Sequence, residues 1–344
     1  MFEFISYVLI IFGLSILVII HESGHFFAAK LSGILVEEFG FGLPPKMFGR
    51  KFGETIISLN WLPFGGFVRL YGEQHGEEKS NLPIERSFSH QTIGTRAMVI
   101  GAGVLMNFLL GWLLLSAVFM IGIPQSLLVT DMRKGSAAEM AGIKTEDEIL
   151  GFPTVPDLTK YLDENIGKEI QLRIRRTDGE RMIPVRLSEG TSREDGKLGV
   201  YLVEAGTPKF GFFKSLGNGF TQSIRGVGMI FGGLLTLVTG IFTRTGGMGQ
   251  FVGPVGIVKV AFQATKLGFA NFLQLLSMLS LNLAVFNVLP FPALDGGRLL
   301  FLLIEKISGK KMNQKTEMAF NAAGFLVLIL LIAFVTVSDV LKLL

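Results

Sequence analysis

The sequence predicts a polytopic α-helical membrane protein with about four transmembrane helices, a small inserted α/β domain and a membrane-associated β-hairpin. Of the 344 residues, 49% are hydrophobic, and the mean hydropathy of +0.51 exceeds that of an ordinary soluble enzyme. Four apolar segments are long enough to cross a bilayer core, which takes about 20 helical residues. Alternating apolar residues between the second and third of these segments predict the inserted domain.

Composition excludes several functional classes. Without cysteine, the chain has no disulfide, no thiolate metal site and no thiol nucleophile, so histidine and carboxylate must hold any metal. The net charge of +4 comes without a basic run or an aromatic-interleaved basic patch, which argues against nucleic-acid binding. We attribute the charge to membrane topology and expect membrane lipid as a partner.

The first predicted helix is expected to be retained. Its opening residues, Met1-Phe2-Glu3, lack the basic region of a secretory signal, and no small-residue cleavage site follows. The predicted spans are 4–29, 97–121, 272–289 and 319–337. Residues 221–242 are also apolar but rich in glycine. We expect them to lie along the membrane surface; the alternative is that they form a further span.

The predicted organisation has four parts. They are 1–121 (two spans, with the hairpin at about 52–72), 122–206 (the inserted domain), 207–270 (a membrane-associated linker) and 271–344 (two spans). Lysine and arginine follow the first span and lie between the last two, whereas the amino terminus has none. Because basic loops stay on the cytoplasmic side, we expect both termini and the inserted domain outside a plasma membrane.

The pattern His21-Glu22-Ser23-Gly24-His25 carries the chemistry. Two histidines four residues apart share one helix face and can bind one Zn²⁺, while Glu22 can accept a proton from a neighbouring water. These groups lie in an apolar span, where ionisable side chains cost several kcal/mol unless they are paired or bound to metal. The sequence therefore predicts a zinc site inside the membrane.

A catalytic zinc needs a third protein ligand and an open position. The candidates are Glu37, Glu38, His75, His90 and Asp295. Depth in the membrane favours Asp295. The first and third spans both enter from outside, and each has about the same number of apolar residues before it reaches His21 or Pro290. Pro290 and Pro292 are predicted to break the third helix, and Gly296-Gly297 to let the backbone turn the carboxylate inward.

The two motifs together resemble a known family. His21 to His25 in the first span, with Asn287-Val288-Leu289-Pro290-Phe291-Pro292-Ala293-Leu294-Asp295-Gly296-Gly297, is similar to the site-2 protease family of intramembrane metalloproteases, bacterial RseP type. The resemblance implies that His21, His25 and Asp295 bind zinc, that Glu22 is the general base and that Asn287 holds substrate. Asn282 either assists or packs between helices.

The resemblance also implies a substrate class and a location. Substrates would be single-pass transmembrane proteins that another protease has already shortened, such as anti-sigma factors or remnant signal peptides. The enzyme would lie in the bacterial inner membrane, with its active site within the bilayer towards the cytoplasm. Gly253-Pro254-Val255-Gly256 matches a further motif of such proteins, for which we predict only a turn.

Residues of the inserted domain predict a β-hairpin. Apolar residues alternate with polar ones on both sides of Asp178-Gly179: Ile170, Leu172, Ile174, then Ile183, Val185, Leu187. The segment from Gly135 to Ile149 resembles the start of a bacterial PDZ domain, and a single such domain fits. By that resemblance Leu198, Gly199 and Val200 form its peptide-binding loop. Two alternatives stay open: the domain acts as a size filter, or it is a spacer without a ligand.

A second hairpin is predicted between Glu54 and Tyr71, with strands at 55–59 and 67–71 joined through 62–66. It resembles a membrane re-entrant β-loop, whose strand edge could pair with an unwound substrate. Unwinding matters because a helix hides its peptide groups in internal hydrogen bonds. A plain cytoplasmic hairpin is the alternative.

Two other functional classes are weighed against proteolysis. A metal transporter would need polar groups along several spans, whereas spans two and four offer little beyond Asn107 and Asn321. A non-catalytic membrane PDZ scaffold would need no metal, and Asp295 would then be dispensable.

Overall fold

The computed structural model describes residues 2–73, 82–176, 179–187, 197–243, 253–310 and 313–341. The chain divides into two compact units, a membrane unit (1–117 with 213–344) and an inserted unit (118–212). The helices are α1 (Phe2–Leu31), α2 (Ile93–Ile121), α3 (Ala137–Met140), α4 (Val155–Glu164), α5 (Phe212–Thr243), α6 (Pro254–Leu267), α7 (Phe269–Val288), α8 (Asp295–Ser308) and α9 (Gln314–Leu341). The strands are β1 (Val36–Phe52), β2 (Thr55–Leu70), β3 (Ile123–Met132), β4 (Glu148–Leu150), β5 (Glu169–Arg176), β6 (Gly179–Arg186) and β7 (Val200–Thr207).

Four helices in the described ranges are long and apolar enough to cross a membrane: α1, α2, α7 and α9. Their number agrees with the prediction. Each predicted span lies within or close to one of them, but α1, α2 and α9 extend beyond the apolar stretch, because helical hydrogen bonds continue into flanking polar residues such as Lys30.

Small and hydroxyl residues bring the membrane-unit helices together. Gly24 of α1 faces the carbonyl of Ala102 on α2 so closely that no Cβ would fit. The hydroxyls of Ser277 and Ser280 on α7 donate at 2.7 Å to the backbone carbonyls of Gly111 and Asn107 on α2. Such contacts are expected in lipid, where small residues permit close backbone approach and polar groups need internal partners.

Helix α5 contains the stretch 221–242 and runs for 32 residues. It is not among the four candidate spans. The indole of Trp112 on α2 donates to the carbonyl of Leu216 at 2.9 Å and attaches the start of α5 to α2. Its position along the membrane surface stays a prediction.

The motif from Gly253 to Gly256 is not a turn, as the sequence suggested, but the start of α6. Gly253 is the N-cap and Pro254 occupies the first turn, where a missing N–H costs nothing. The amide of Gly256 donates to Asp339 Oδ2 on α9 at 2.8 Å, and a Cβ on Gly253 would lie 2.7 Å from that oxygen. The motif therefore joins α6 to α9.

The predicted hairpin of residues 55–71 is wrong in its pairing. β1 and β2 are antiparallel partners, but each folds back on itself and contributes two runs to one sheet. Residues 36–41 pair with 66–70 on one side, and 38–41 lie opposite 56–59 on the other. The two runs that were expected to pair thus have β1 between them. Glycines and prolines interrupt the apolar alternation of β1, which hid this strand from the sequence pattern.

The inserted unit contains a five-stranded sheet of order β6-β5-β4-β3-β7, with α3 and α4. The hairpin of β5 and β6 is confirmed, with partners from Glu169–Arg186 to Arg176–Gly179. All six of its alternating apolar side chains are buried in one core. Asp178, in the predicted turn, lies outside the described residues. The unit is a small α/β domain that contains the predicted range 122–206; its PDZ assignment stays a prediction.

Candidate metal centre

Three side chains from two distant segments meet inside the membrane unit. The Nε2 atoms of His21 and His25, one turn apart on α1, lie 3.2 Å from each other. Asp295 Oδ2 lies 3.1 Å from the first and 3.4 Å from the second. Among the described residues these three form the group whose ligand atoms lie close enough to hold one metal ion.

The loop between α7 and α8 delivers Asp295 to this position. α7 ends at Val288, and Asp295 is the first residue of α8. The left-handed residue that reverses the chain is Ala293, with φ +67°. Gly296 and Gly297, predicted to provide the turn, have no positive φ. They are needed for close packing instead, because a Cβ on either would collide with the carbonyls that end α7 and begin the loop.

The donor set fits a zinc ion. Ligand atoms at about 2.0–2.1 Å from a tetrahedral zinc lie roughly 3.3–3.4 Å apart, close to the observed separations. Asp295 Oδ2 is buried and accepts no hydrogen bond within the described chain, although two ring nitrogens are nearby. Gly103 on α2 also leaves room beside the ring nitrogens, because a Cβ at this position would lie 2.5 Å from His25 Nε2. Three ligand atoms this close to one another could hold one metal ion.

Helix α2 supports both imidazole rings, which the sequence did not predict. His25 Nδ1 donates to the carbonyl of Val99 at 2.9 Å, which leaves its Nε2 lone pair directed at the site. Asn107 Nδ2 lies 3.1 Å from His21 Nδ1. The available signal was an amide in an otherwise apolar span, which indicates function or helix packing.

Helix α9 holds the loop that carries Asp295. The side chain of Asn321 accepts a hydrogen bond from the amide of Ala293 at 3.2 Å. Gly324, one turn further on, leaves no room for a Cβ beside Pro292. The polar residues noted in spans two and four therefore both contact the candidate site or its loop: Asn107 lies beside His21, and Asn321 binds the amide of Ala293.

Glu22 lies beside the ligand cluster and near the edge of the sheet. A Cβ on Gly66 would lie 3.3 Å from Glu22 Cγ, so the start of run 66–70 of β2 lies against the Glu22 side chain. Within the described chain no hydrogen bond or ion pair involves the Glu22 carboxylate. A partly buried carboxylate without a partner is available to exchange a proton with water.

The other described ligand candidates are not part of the cluster. Glu38 is paired with Lys46 at 2.8 Å and Arg69 at 3.5 Å. Neither Glu37 nor His90 belongs to a described group that could hold a metal. His75 lies outside the described residues.

The predicted substrate-binding residues remain predictions. Asn282 and Asn287 are half-buried on α7 and make no hydrogen bond within the described ranges. Leu198 is 3% exposed and belongs to the core of the inserted unit. Its side chain cannot contact a ligand, so a peptide-binding role would fall to the backbone of Gly199 and Val200.

Comparison with known proteins shows the family of the chain. The profile of peptidase family M50 matches residues 9–331. The chain belongs to peptidase family M50. A candidate zinc metalloprotease of Clostridium perfringens is 36% identical, with 95% of this chain and 96% of the relative covered. A similar candidate of Fusobacterium nucleatum is 32% identical, with coverage of 96% and 97%. The regulator of sigma-W protease RasP of Bacillus subtilis is 30% identical, with 97% of both chains covered.

Family membership confirms the site-2 protease resemblance. The protein is an intramembrane zinc metalloprotease and a multi-pass membrane protein. Neither the metal transporter nor the non-catalytic scaffold is supported. The substrates, the orientation and the roles of individual residues are not given by these similarities.

Proposed function

We propose that this M50 peptidase hydrolyses peptide bonds within the transmembrane helices of single-pass proteins. His21, His25 and Asp295 would hold the zinc ion, and Glu22 would be the general base. The observation that carries the proposal is the convergence of three partly buried ligand atoms, 3.1 to 3.4 Å apart, beside a carboxylate without a hydrogen bond or ion pair within the described chain.

The chemistry divides between the metal and the chain. Zinc, when bound, supplies Lewis-acid polarisation of a carbonyl and makes water more acidic. Glu22 accepts a proton from the attacking water and returns it to the nitrogen of the departing amine, so the carboxylate is regenerated. The helices around the site exclude bulk water, which strengthens these electrostatic effects.

An edge strand next to Glu22 supports a β-type mode of substrate binding. Run 66–70 has 36–41 on one side, and no described strand pairs with its other side. A substrate helix must unwind before a peptide bond is exposed, and the freed backbone groups need partners inside lipid. Pairing along 66–70 would supply them beside Glu22. Asn287, with Asn282, would hold the unwound segment from α7.

The inserted unit would restrict which substrates reach the site. β7 lies at one edge of its sheet, and Tyr201 and Val203 on this strand are 66% and 53% exposed. We propose that the unit either binds a new carboxyl terminus at 198–200 or excludes bulky outer domains. Both would favour proteins already shortened by another protease. Anti-sigma factors fit this class, and one relative is named a regulator of sigma-W protease.

The proposed topology places both termini and the inserted unit outside the bacterial plasma membrane. It is supported by the basic residues after α1 and around α8, which favour the cytoplasmic side. His21 and His25 lie in the second half of α1, so the active site would lie towards the cytoplasm.

Glu22→Gln tests the mechanism. The amide cannot accept a proton, so we expect cleavage of a model single-pass substrate to fall at least about 100-fold. Zinc content, measured by elemental analysis, should stay near one per chain. Glu85→Gln, a change at an exposed glutamate far from the cluster in sequence, is the matched control. Wild-type cleavage by Glu22→Gln would contradict the mechanism.

The same assay tests substrate choice. Two substrates that share one transmembrane segment but carry a short or a large folded outer domain should be cleaved at different rates. Only the short one should be a good substrate. Equal rates would contradict the proposed role of the inserted unit.

A further inference from the structure

Asn107 is a buried polar residue whose contact with the ligand cluster needs an explanation. It lies in the middle of α2 and is 0% exposed. Its Nδ2 is 3.1 Å from His21 Nδ1, while its Oδ1 is buried with no hydrogen-bond partner. A buried amide oxygen without a partner costs about 1–3 kcal/mol, so the side chain is not a passive filler.

The tautomer of His21 determines which amide atom must face the ring. A neutral imidazole has one N–H and one lone pair. If Nε2 offers its lone pair towards Asp295 and the metal, the hydrogen is on Nδ1. Nδ1–H would then point at the NH₂ of Asn107, and two donors would oppose each other.

A half-turn of the amide removes this conflict. The oxygen and nitrogen of an asparagine side chain are nearly the same size, and their assignment rests on the hydrogen-bond network. Exchanging them places Oδ1 about 3.1 Å from His21 Nδ1 without moving another residue. The exchange also moves the unpaired position from the oxygen to the NH₂ group.

We propose that Asn107 is a positioning residue for His21, and this rests on the proposed role of His21 as a zinc ligand. Asn107 Oδ1 accepts a hydrogen bond from His21 Nδ1–H, which keeps Nε2 free of hydrogen and orients the ring towards Asp295. Partners of this kind beside a metal-bound histidine fix its tautomer and raise its basicity.

The surroundings keep Asn107 in place. Ser280 Oγ on α7 donates to its backbone carbonyl at 2.7 Å. Val99, two turns earlier on α2, accepts from His25 Nδ1 at 2.9 Å. One face of α2 thus provides an oxygen acceptor to each ring: a backbone carbonyl for His25 and a side-chain amide for His21. Both rings then direct Nε2 at the same point.

The test compares Asn107→Leu with Asn107→Asp in the full-length protein in detergent. Leucine has a similar volume but no acceptor, whereas aspartate places an oxygen at both amide positions. Zinc affinity is measured by competition with a chelator, and ligand geometry by the absorption spectrum of the Co²⁺-loaded protein. We expect Asn107→Leu to weaken zinc binding about 10- to 100-fold and to change the Co²⁺ spectrum, and Asn107→Asp to restore both.

Ser277→Ala is the matched control for lost helix packing. It removes the 2.7 Å hydrogen bond from Ser277 to the carbonyl of Gly111, which lies four residues after Asn107 on α2. We expect wild-type zinc affinity and an unchanged Co²⁺ spectrum. If Asn107→Leu does not fold, Asn107→Ser replaces it with the same expectation, because its hydroxyl is too short to reach the ring.

Two results would overturn the inference. One is wild-type zinc affinity and an unchanged Co²⁺ spectrum in Asn107→Leu or in its serine replacement. The other is a folded Asn107→Asp protein that binds zinc as weakly as Asn107→Leu. His21→Ala separates this from failure of the proposed function: if that variant keeps its zinc, the ligand assignment itself is wrong.

Discussion

Gly103 shows how a single absent side chain determines whether the site can form. It faces both rings from α2: a Cβ there would lie 2.5 Å from His25 Nε2 and 2.8 Å from His21 Cε1. Real Cβ contacts are essentially never this short, so the rings would have to move. Ligands displaced by even part of an ångström no longer share one ion well.

Gly103→Ala should therefore separate metal binding from stability. We expect zinc affinity to fall at least about 10-fold. Alanine is the better helix former by about 1 kcal/mol, which works against any loss of thermal stability. Zinc content after dialysis and the melting temperature measure the two effects.

Gly101→Ala is the control for this prediction. It adds the same methyl group to the same helix, two residues away, where nothing lies within 4 Å of the new Cβ. Its zinc content should match that of the wild type. Equal zinc retention in the two variants would show that the rings can adapt, and that Gly103 does not reserve space for the metal.

For individual residues, the sequence predicts which side chains carry the chemistry but not which residues contact them. His21, Glu22 and His25 were identified because their spacing on a helix has a chemical meaning. Asp295 was chosen among five candidates by depth, and the structure brings it to the cluster. Asn107 and Gly103 were not recognised, because their roles depend on how α1 crosses α2.

Among the elements, one carboxylate links the turn between β1 and β2 to α1 and to the segment that precedes α2. Glu54 lies in the turn that joins the strands. It accepts hydrogen bonds from Arg86 at 2.7 and 2.9 Å and from Lys30 at 2.8 Å. Hydrogen bonds from Arg86 and then Lys30 lower the pKa of Glu54 to about 2. The carboxylate is 41% exposed, so solvent screens part of this attraction.

The sign of the resulting pH dependence follows from linkage. A carboxyl whose pKa is depressed on folding stabilises the folded state above its ordinary pKa, about 4.5, and the stabilisation is lost as pH falls towards about 2. Glu54→Gln should lower the melting temperature at pH 6. The difference from the wild type should shrink between pH 4.5 and 2. A difference independent of pH would show that the ion pair does not act through this titration.

Strand order is the part of the fold that the sequence could not predict. Alternating residues at 55–59 and 67–70 correctly indicated extended backbone, but alternation carries no information on which strand lies beside which. The helices were easier, because length and hydropathy alone identify a span. Gly296 and Gly297 illustrate the same limit. The sequence drew attention to these glycines, but glycine is required there because the helix packs against a loop.

For the whole molecule, the two compact units should respond separately to mutation. The inserted unit has its own core, in which Leu172 is 1% exposed. Leu172→Ala should destabilise this unit by about 2–5 kcal/mol, because it removes buried methyl groups and leaves a cavity.

This prediction is checked by denaturing the isolated fragment 118–212 and by measuring zinc in the full-length variant. We expect the fragment to unfold at lower denaturant concentration and the zinc content of the full chain to be unchanged. Zinc loss in Leu172→Ala would mean that the two units are not energetically independent.

The distance along the chain between the histidines and Asp295 has a consequence for biosynthesis. Asp295 follows His25 by 270 residues. At a translation rate of about 5–20 residues per second, roughly 15 to 55 s pass between the synthesis of the two parts of the donor set. If these residues form the hydrolytic centre as proposed, a nascent chain lacks that centre until Asp295 has been made. We therefore expect a newly made enzyme to be unable to cleave its neighbours in the insertion machinery until most of its chain has been synthesised.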